Sequence, residues 1–508
     1  MKKNLLLIFV FLLLQQHAFA QKINVNWGPE LKSKTWMETG GIVGLDRSGF
    51  YSLALQHGYK GAALQKYNFK HELISSNEVI LSSNSSSAHA ALVGAYKVQD
   101  RFIFFSMDYD RATKNTVIYA NKLDLNGKPI AKPVKISEFD DVKSGELSVN
   151  VSLSYDSSKV LLYTRENRKK KDNEGFNLKV FDKDLNTLWE KEIGFDKANK
   201  DIGIQQYILD NDGNAFVLLD IKKDMEDRTS GESRWYQSII GYYYQKDEIK
   251  EYKVMLPGKF IRDSQFKVSK EGNVIVAGLY GNKPDEYSSG MYFMRINPAT
   301  QQVEKQSIQE FGDDFLMEYS DGKKKGLKGV YGLTIKDIAL KSDEGAVVIC
   351  EVAYSVEVST QRSNGSTSTR TVYYNGPILV VNVKPSGDID WVTSIFKWQK
   401  GTFSMFHSFA YIMKNDKLYF MYNDHKDNID KYSVKKLKWL QGKGSTAAVI
   451  AIVDGSGKYV KANMFDAKDY KTVFLPRQFF HSDTKNIIYS TYYGIGTSRY
   501  RFGSVSIN

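Results

Sequence analysis

Ten side chains could do chemistry together if the chain folds in repeating units: Glu38, His89, Glu146, Gln206, Arg262, Asp263, Tyr331, His407, Arg477 and His481. Each stands at or beside the residue that leads into the first strand of a unit in the pattern described below. If the units ring a common axis, these residues gather at one mouth. Carboxylates and imidazoles could there exchange protons with a polar ligand. A wet channel mouth needs polar lining in any case, so the pattern fits a solvated rim as well as a binding site.

Other chemistries are weaker. The histidines are far apart in sequence and none has an H-x-x-x-H or H-x-H spacing, so a metal site is not expected. Asp210, Asp212 and Asn214 resemble the start of a calcium loop, but Ile221 stands where the bidentate Glu belongs, and a hairpin turn is expected. Adjacent acids such as Asp140-Asp141 or Asp313-Asp314 do not face each other across a gap, as glycosidase carboxylates must. No G-x-S-x-G, H-E-x-x-H, phosphate-binding Gly-rich loop or C-x-x-C occurs, and no cofactor is expected. Aromatic pairs such as Trp235-Tyr236 and Tyr373-Tyr374 could stack on sugar rings, although Tyr-rich strands more often pack between sheets.

The elements that position these residues come from a repeat. "GLDRSGFYSLAL", "AYKVQDRFIFFSM", "LSYDSSKVLLYT", "ILDNDGNAFVLLD", "KVSKEGNVIVAGL", "ALKSDEGAVVICEV", "YIMKNDKLYFMYN" and "FFHSDTKNIIYST" each read as strand, short polar turn, strand. A second such phrase follows most of them, as in "YANKLDLNGKPI" and "VIAIVDGSGKYVKANMF", so one unit holds four strands. No segment sustains a helical period. Tandem four-stranded units of this size predict an all-β chain, a β-propeller of eight blades, with seven as the alternative. The last unit has three strands, and the segment after Gln21 supplies the fourth, so the eighth blade is expected from residues 22–33 and 477–508.

Residues 1–20 read as a secretory signal peptide: Lys2-Lys3, an apolar run from Leu5 to Leu14, and Ala18-Phe19-Ala20 before Gln21. Residues 21–508 are expected as one propeller domain without a transmembrane segment, since a span needs roughly 20 apolar residues. A single cysteine, Cys350, precludes an intrachain disulfide and reads as a buried small hydrophobe, leaving stability to the core. The formal net charge of +12 is spread thinly, apart from "RENRKKK", and a nucleic-acid partner is not expected. The long segments, among them "RENRKKKDNEGF", "IKKDMEDRTSGESRWYQ" and "YSVEVSTQRSNGSTSTRTVYYNG", fall on one predicted face, the expected working face.

The ending "AFAQ", the phrases "ILVVNVKPSGDIDWVTSIFKWQ" and "DKLYFMYNDH", and the closing "SRYRFGSVSI" resemble secreted, propeller-like proteins of Bacteroidota without an assigned activity. The resemblance covers nearly the whole mature chain, but its motifs are structural and carry over no catalytic residue. It implies a Gram-negative periplasmic or extracellular setting; the absence of a sorting domain after the last strand favours the periplasm. Two functions are open. The first is a non-catalytic propeller binding a protein or envelope polysaccharide through its long-loop face. The alternative is a hydrolase or lyase acting on polysaccharide or peptide at the channel mouth. Oligomeric state is not legible.

Overall fold

The computed structural model describes residues 23–507, apart from 33–37, 56–61, 80, 82–89, 168–171, 286, 320–327, 362–364, 441–442, 483–484 and 495–496. For residues 24, 38–40, 489–494 and 497–498 only the backbone is described. The signal segment and His89 therefore lie outside the described residues. The chain is all-β and divides into two compact units, Lys34–Glu310 and Met1–Ser33 with Phe311–Asn508. No helix among the described residues is long and apolar enough to cross a membrane.

The first unit contains five four-stranded antiparallel meanders, numbered here I to V. Sheet I runs from Glu38–Leu45 to Leu73–Val79, and sheet II from Ala91–Val98 to Val134–Phe139. Sheet III comprises Leu147–Leu153, Lys159–Glu166, Asn173–Asp182 and Thr187–Ala198. Sheet IV comprises Ile202–Leu209, Ala215–Lys222, Trp235–Tyr243 and Glu248–Val254. Sheet V comprises Phe260–Val268, Val274–Gly281, Gly290–Ile296 and Val303–Glu310.

The second unit holds sheet VI (Leu333–Leu340, Ala346–Gln361, Thr367–Val383, Ile389–Ile395) and sheet VII (Ala410–Lys414, Lys417–His425, Thr446–Val453, Tyr459–Asp466). Its sheet VIII combines the two ends of the chain. Asn24–Trp27 pairs antiparallel with the last strand, Asn24 opposite Ser506 and Trp27 opposite Gly503. Sequence reading placed a strand there because the last unit was one short.

The turn grammar explains the hairpins. Asp46, Asp124, Asp182, Asp210 and Asp454 each accept backbone N–H groups two to four residues ahead, at 2.7–3.0 Å. Asp210 binds the backbone and side chain of Asn214, both at 2.8 Å, so the calcium-like stretch is a hairpin turn. Central strands such as Gly49–Leu55 and Thr446–Val453 are buried throughout, whereas the outermost Val303–Glu310 is largely exposed. This follows because the apolar cores lie between successive sheets: Leu161, Tyr163 and Phe176 of III meet Val217, Leu219 and Tyr242 of IV, and Val347 and Val380 of VI meet Phe420 and Tyr422 of VII. Cys350 is fully buried.

One expected loop is not a loop. Residues 355–373 continue two strands of sheet VI as a ribbon, paired from Ser355–Tyr373 out to Gln361–Thr367. The alternating Val356, Val358 and Thr360 against Val372, Arg370 and Ser368 suit a pleated ribbon better than a coil. Asp313 and Asp314 begin a short helix, Asp313–Tyr319, rather than facing a gap.

One irregularity recurs. The first strands of sheets I, II, IV, V and VI each carry a bulge shortly after they begin, between Thr39 and Gly41, Leu92 and Gly94, Ile204 and Gln206, Ile261 and Asp263, and Ile335 and Asp337. A bulge inserts one extra residue and re-aims the side chains beside it. In sheets IV, V and VI the extra residue is polar: Gln205, Arg262 and Lys336.

Candidate functional site

In sheet IV the bulge brings Gln205 to Asp220 on the second strand, amide nitrogen to Oδ2 at 2.5 Å. Gln237, directly opposite Asp220 on the third strand, donates to Oδ1 at 2.9 Å. On its other side Asp220 faces Gly203 of the first strand. Burial is the largest influence and pushes the Asp220 carboxyl above the usual range; the two amides only partly offset it.

The next sheet supplies a second acid. Asp263 follows the sheet V bulge, and its neighbour Ser264 shares a hydrogen bond of 2.5 Å with the hydroxyl of the fully buried Tyr292. Gly278 makes this contact possible. It lies between Ser264 and Tyr292 in the sheet, and a Cβ on it would fall 2.1 Å from the tyrosine ring. The hydroxyl end of the ring therefore occupies the space a side chain on Gly278 would fill. Burial first, and then the charges of Asp263 and Asp220, push the Tyr292 hydroxyl up. Both carboxylates thus act on one phenol. Gln206 braces the two sheets, donating to the Phe266 carbonyl at 3.2 Å and accepting from the Phe266 N–H at 3.0 Å.

A carboxyl that holds its proton more tightly than usual in one sheet and a second half-buried carboxylate in the next are the two kinds of group that general acid and base catalysis uses. Sequence reading identified Gln206, Arg262 and Asp263 of this site but placed them ahead of their strands; all three lie inside them. It missed Asp220, Gln205, Gln237, Ser264 and Tyr292. The one available signal was Asp220 itself, an acid interrupting the apolar run "FVLLDI". Arg262 is occupied elsewhere. Its guanidinium donates to the carbonyls of Tyr287, at 3.3 Å, and Lys283, and lies 3.7 Å from Asp285, fastening that loop.

Glu146 caps a short turn by accepting from the Lys143 N–H at 3.1 Å. Glu38 begins the first strand of sheet I. Tyr331 is 42% exposed and packs edge-on against Tyr354 at 5.1 Å. His481 is exposed and hydrogen-bonds Asn486 at 2.7 Å. His407 is different: it is 3% exposed, and its Nδ1 is buried with no hydrogen-bond partner among the described residues. Burial and then the charge of Lys397 push His407 down to about 4, with exposed Arg477 acting in the same direction, so the ring is neutral near pH 7.

His407 borders a closed ionic network that sequence reading did not find. Glu351, fully buried, pairs with the fully buried Lys397 at 2.7 Å. It also accepts from Ser408 at 2.8 Å and Asn375 at 3.0 Å, and lies 3.5 Å from Lys336, the extra residue of the sheet VI bulge. Gln399 completes the set, accepting from Lys397 at 3.0 Å and from the Ser408 N–H at 2.8 Å. Ser408 is held at φ 71°, a left-handed conformation uncommon outside glycine, where these bonds over-determine it. Glu351 and Lys397 are sealed from solvent, so the network positions Ser408 and the adjoining strands rather than meeting a polymer.

No family model matches the chain, and no curated protein matches it. Solved structures similar to it include prolyl oligopeptidase B from Galerina marginata, at 11% identity and TM-score 0.41, covering 90% of this chain and 56% of that one. Porphyromonas gingivalis dipeptidyl peptidase 4 is similar at 10% identity and TM-score 0.40, covering 91% and 61%. A puromycin hydrolase is similar at 10% identity and TM-score 0.37, covering 80% and 53%. The chain thus spans little more than half the length of these structures. These likenesses are too distant to assign a reaction. All three are named as hydrolases, however, and none as a non-catalytic binder, so the expectation of a non-catalytic binding propeller is corrected here and set aside.

Proposed function

We propose that the chain is a hydrolase built as an eight-bladed β-propeller, with Asp220 and Asp263 as its acid and base and a polysaccharide or peptide as substrate. The reading rests on two half-buried acids near corresponding first-strand bulges of consecutive sheets, Asp220 in sheet IV and Asp263 in sheet V, whose charges both act on the buried Tyr292 hydroxyl. Asp220, which holds its proton more tightly than a solvent-exposed acid, donates it to the leaving oxygen or nitrogen. Asp263 takes a proton from water as the water attacks. One water is consumed, the scissile bond is replaced by one new bond to oxygen, and the acid and base regain their starting states after proton exchange with solvent.

The propeller reading is supported by four-stranded meanders with cores between consecutive sheets, and by the chain start pairing with the last strand. The apolar run and A-x-A ending of residues 1–20 support export to the periplasm or beyond, which amino-terminal sequencing of the secreted protein checks. The reaction is tested on a panel of glycans and peptides, scoring new reducing ends and new amines. Asp220→Asn and Asp263→Asn should each lower kcat by about a hundredfold or more while the far-ultraviolet circular dichroism stays unchanged. Turnover unaffected by both substitutions would remove these acids from the reaction.

A further inference from the structure

Sheet III carries a cavity of about 360 Å³, lined in part by Phe139 of sheet II and by Phe176. This is the small end of the range for ligand sites and suits one sugar ring. Its floor combines two adjacent polar side chains. Thr164 and Asn177 face each other across neighbouring strands, and both line the cavity. Thr164 is 3% exposed, and its hydroxyl has no hydrogen-bond partner among the described residues. Asn177 donates to Glu190 at 2.7 Å, while its Oδ1 is buried and unpartnered. A buried amide oxygen left unmatched is costly unless something in the cavity meets it, and the Thr164 hydroxyl beside it is open to the same partner.

The charges at the rim sort themselves. Arg165 is held by the buried Glu174 through two bonds, at 3.0 and 2.5 Å. Glu190 is balanced by Lys179 at 2.9 Å. Glu166, half-buried, makes no side-chain hydrogen bond or ion pair among the described residues. The rim therefore carries one carboxylate, Glu166, without a counter-charge among the described residues, above a floor that offers one hydroxyl and one amide oxygen. Where Gly175 lines it, the paired Gly194 leaves open space.

We infer that this cavity binds an amino-sugar residue, its ring hydroxyls on Thr164 and Asn177 and its ammonium on Glu166. Two aromatic side chains in the lining suit the apolar face of a sugar ring, and an unbalanced carboxylate selects an amine over a neutral hydroxyl. The inference is independent of the reaction at Asp220 and Asp263, because its readout is binding rather than turnover.

Glucosamine, glucose and a lysyl-lysine dipeptide serve as probes, titrated into the full-length mature protein and followed by saturation-transfer NMR. Glucosamine should bind, with glucose at least tenfold weaker and the dipeptide weaker still. Thr164→Val, which keeps the side-chain shape, and Glu166→Gln should each weaken glucosamine about tenfold. Near-ultraviolet circular dichroism verifies that both variants are folded. Absence of glucosamine binding to the wild type, glucose binding as well as glucosamine, preference for the dipeptide, or unchanged affinity in both variants would each overturn the assignment.

Discussion

Asp220 in sheet IV and Glu351 in sheet VI occupy the same place: the second strand, one residue past the position paired ahead of a first-strand bulge. Burial pushes both carboxyls up, yet they end on opposite sides of the ordinary range. Asp220 meets only the amides of Gln205 and Gln237, and burial prevails, so its proton is held more tightly. Glu351 meets Lys397 and Lys336, whose charges prevail over burial and hold it below the usual range. One fold position thus holds its carboxyl above or below the ordinary range according to whether amides or ammonium groups meet it.

The largest effect should come from unpairing Glu351. Lys397→Met leaves a fully buried carboxylate without its main counter-charge and should cost about 3–5 kcal/mol, read as a lowered urea midpoint. Adding Glu351→Gln should recover part of that loss. Asp220→Asn should by contrast cost no more than about 1 kcal/mol, because it breaks no charge pair and gives up at most one of the two amide hydrogen bonds. If Asp220→Asn destabilises as much as Lys397→Met, the two positions do not differ as argued.

The pH dependence of stability sharpens the comparison. Glu351, held low, contributes stability that is present above its unfolded value and lost as pH falls through its folded one. Asp220, held high, contributes stability that is present at low pH and lost as pH rises through its folded value. His407, lowered from 6.5 to about 4, behaves like Glu351: stability is present above 6.5 and falls between there and about 4. Replacing it by Phe should flatten that window by up to about 3 kcal/mol, measured by urea unfolding at pH steps. A window unchanged in His407→Phe would mean the ring charges in the folded state without penalty.

A smaller effect belongs to Gly278. Gly278→Ala drives a methyl into the Tyr292 ring and should cost about 1–3 kcal/mol while breaking the Ser264 contact, visible as a shift in tyrosine near-ultraviolet dichroism. Lys336→Met should be mildest, because Lys336 is partly exposed and 3.5 Å from Glu351, with a change below about 1 kcal/mol in the urea midpoint.

The sheets were legible in the sequence because their turns are written in local chemistry: an acid such as Asp46 or Asp454 binds backbone groups two to four residues away. The last sheet was legible by counting strands. The bulges were not, since the extra residue is Val in one sheet and Gln, Arg or Lys in others, and nothing in composition marks it. The Glu351 network was hidden for a related reason. Its members, Lys336, Asn375, Lys397 and Ser408, span four separate segments, and a buried lysine looks like any surface lysine until its surroundings are known. Asp263 was found because polar residues cluster near the starts of these strands; Asp220 was passed over because it sits in a run read as core.

The most direct test of the acid role of Asp220 is the pH dependence of kcat/KM for wild type and Asp220→Asn on one hydrolysed substrate. Wild type should lose activity at high pH as Asp220 gives up its proton, and the variant, already slow, should show no such alkaline limb. Profiles of the same shape and height in both proteins would contradict the assignment of Asp220 as the acid.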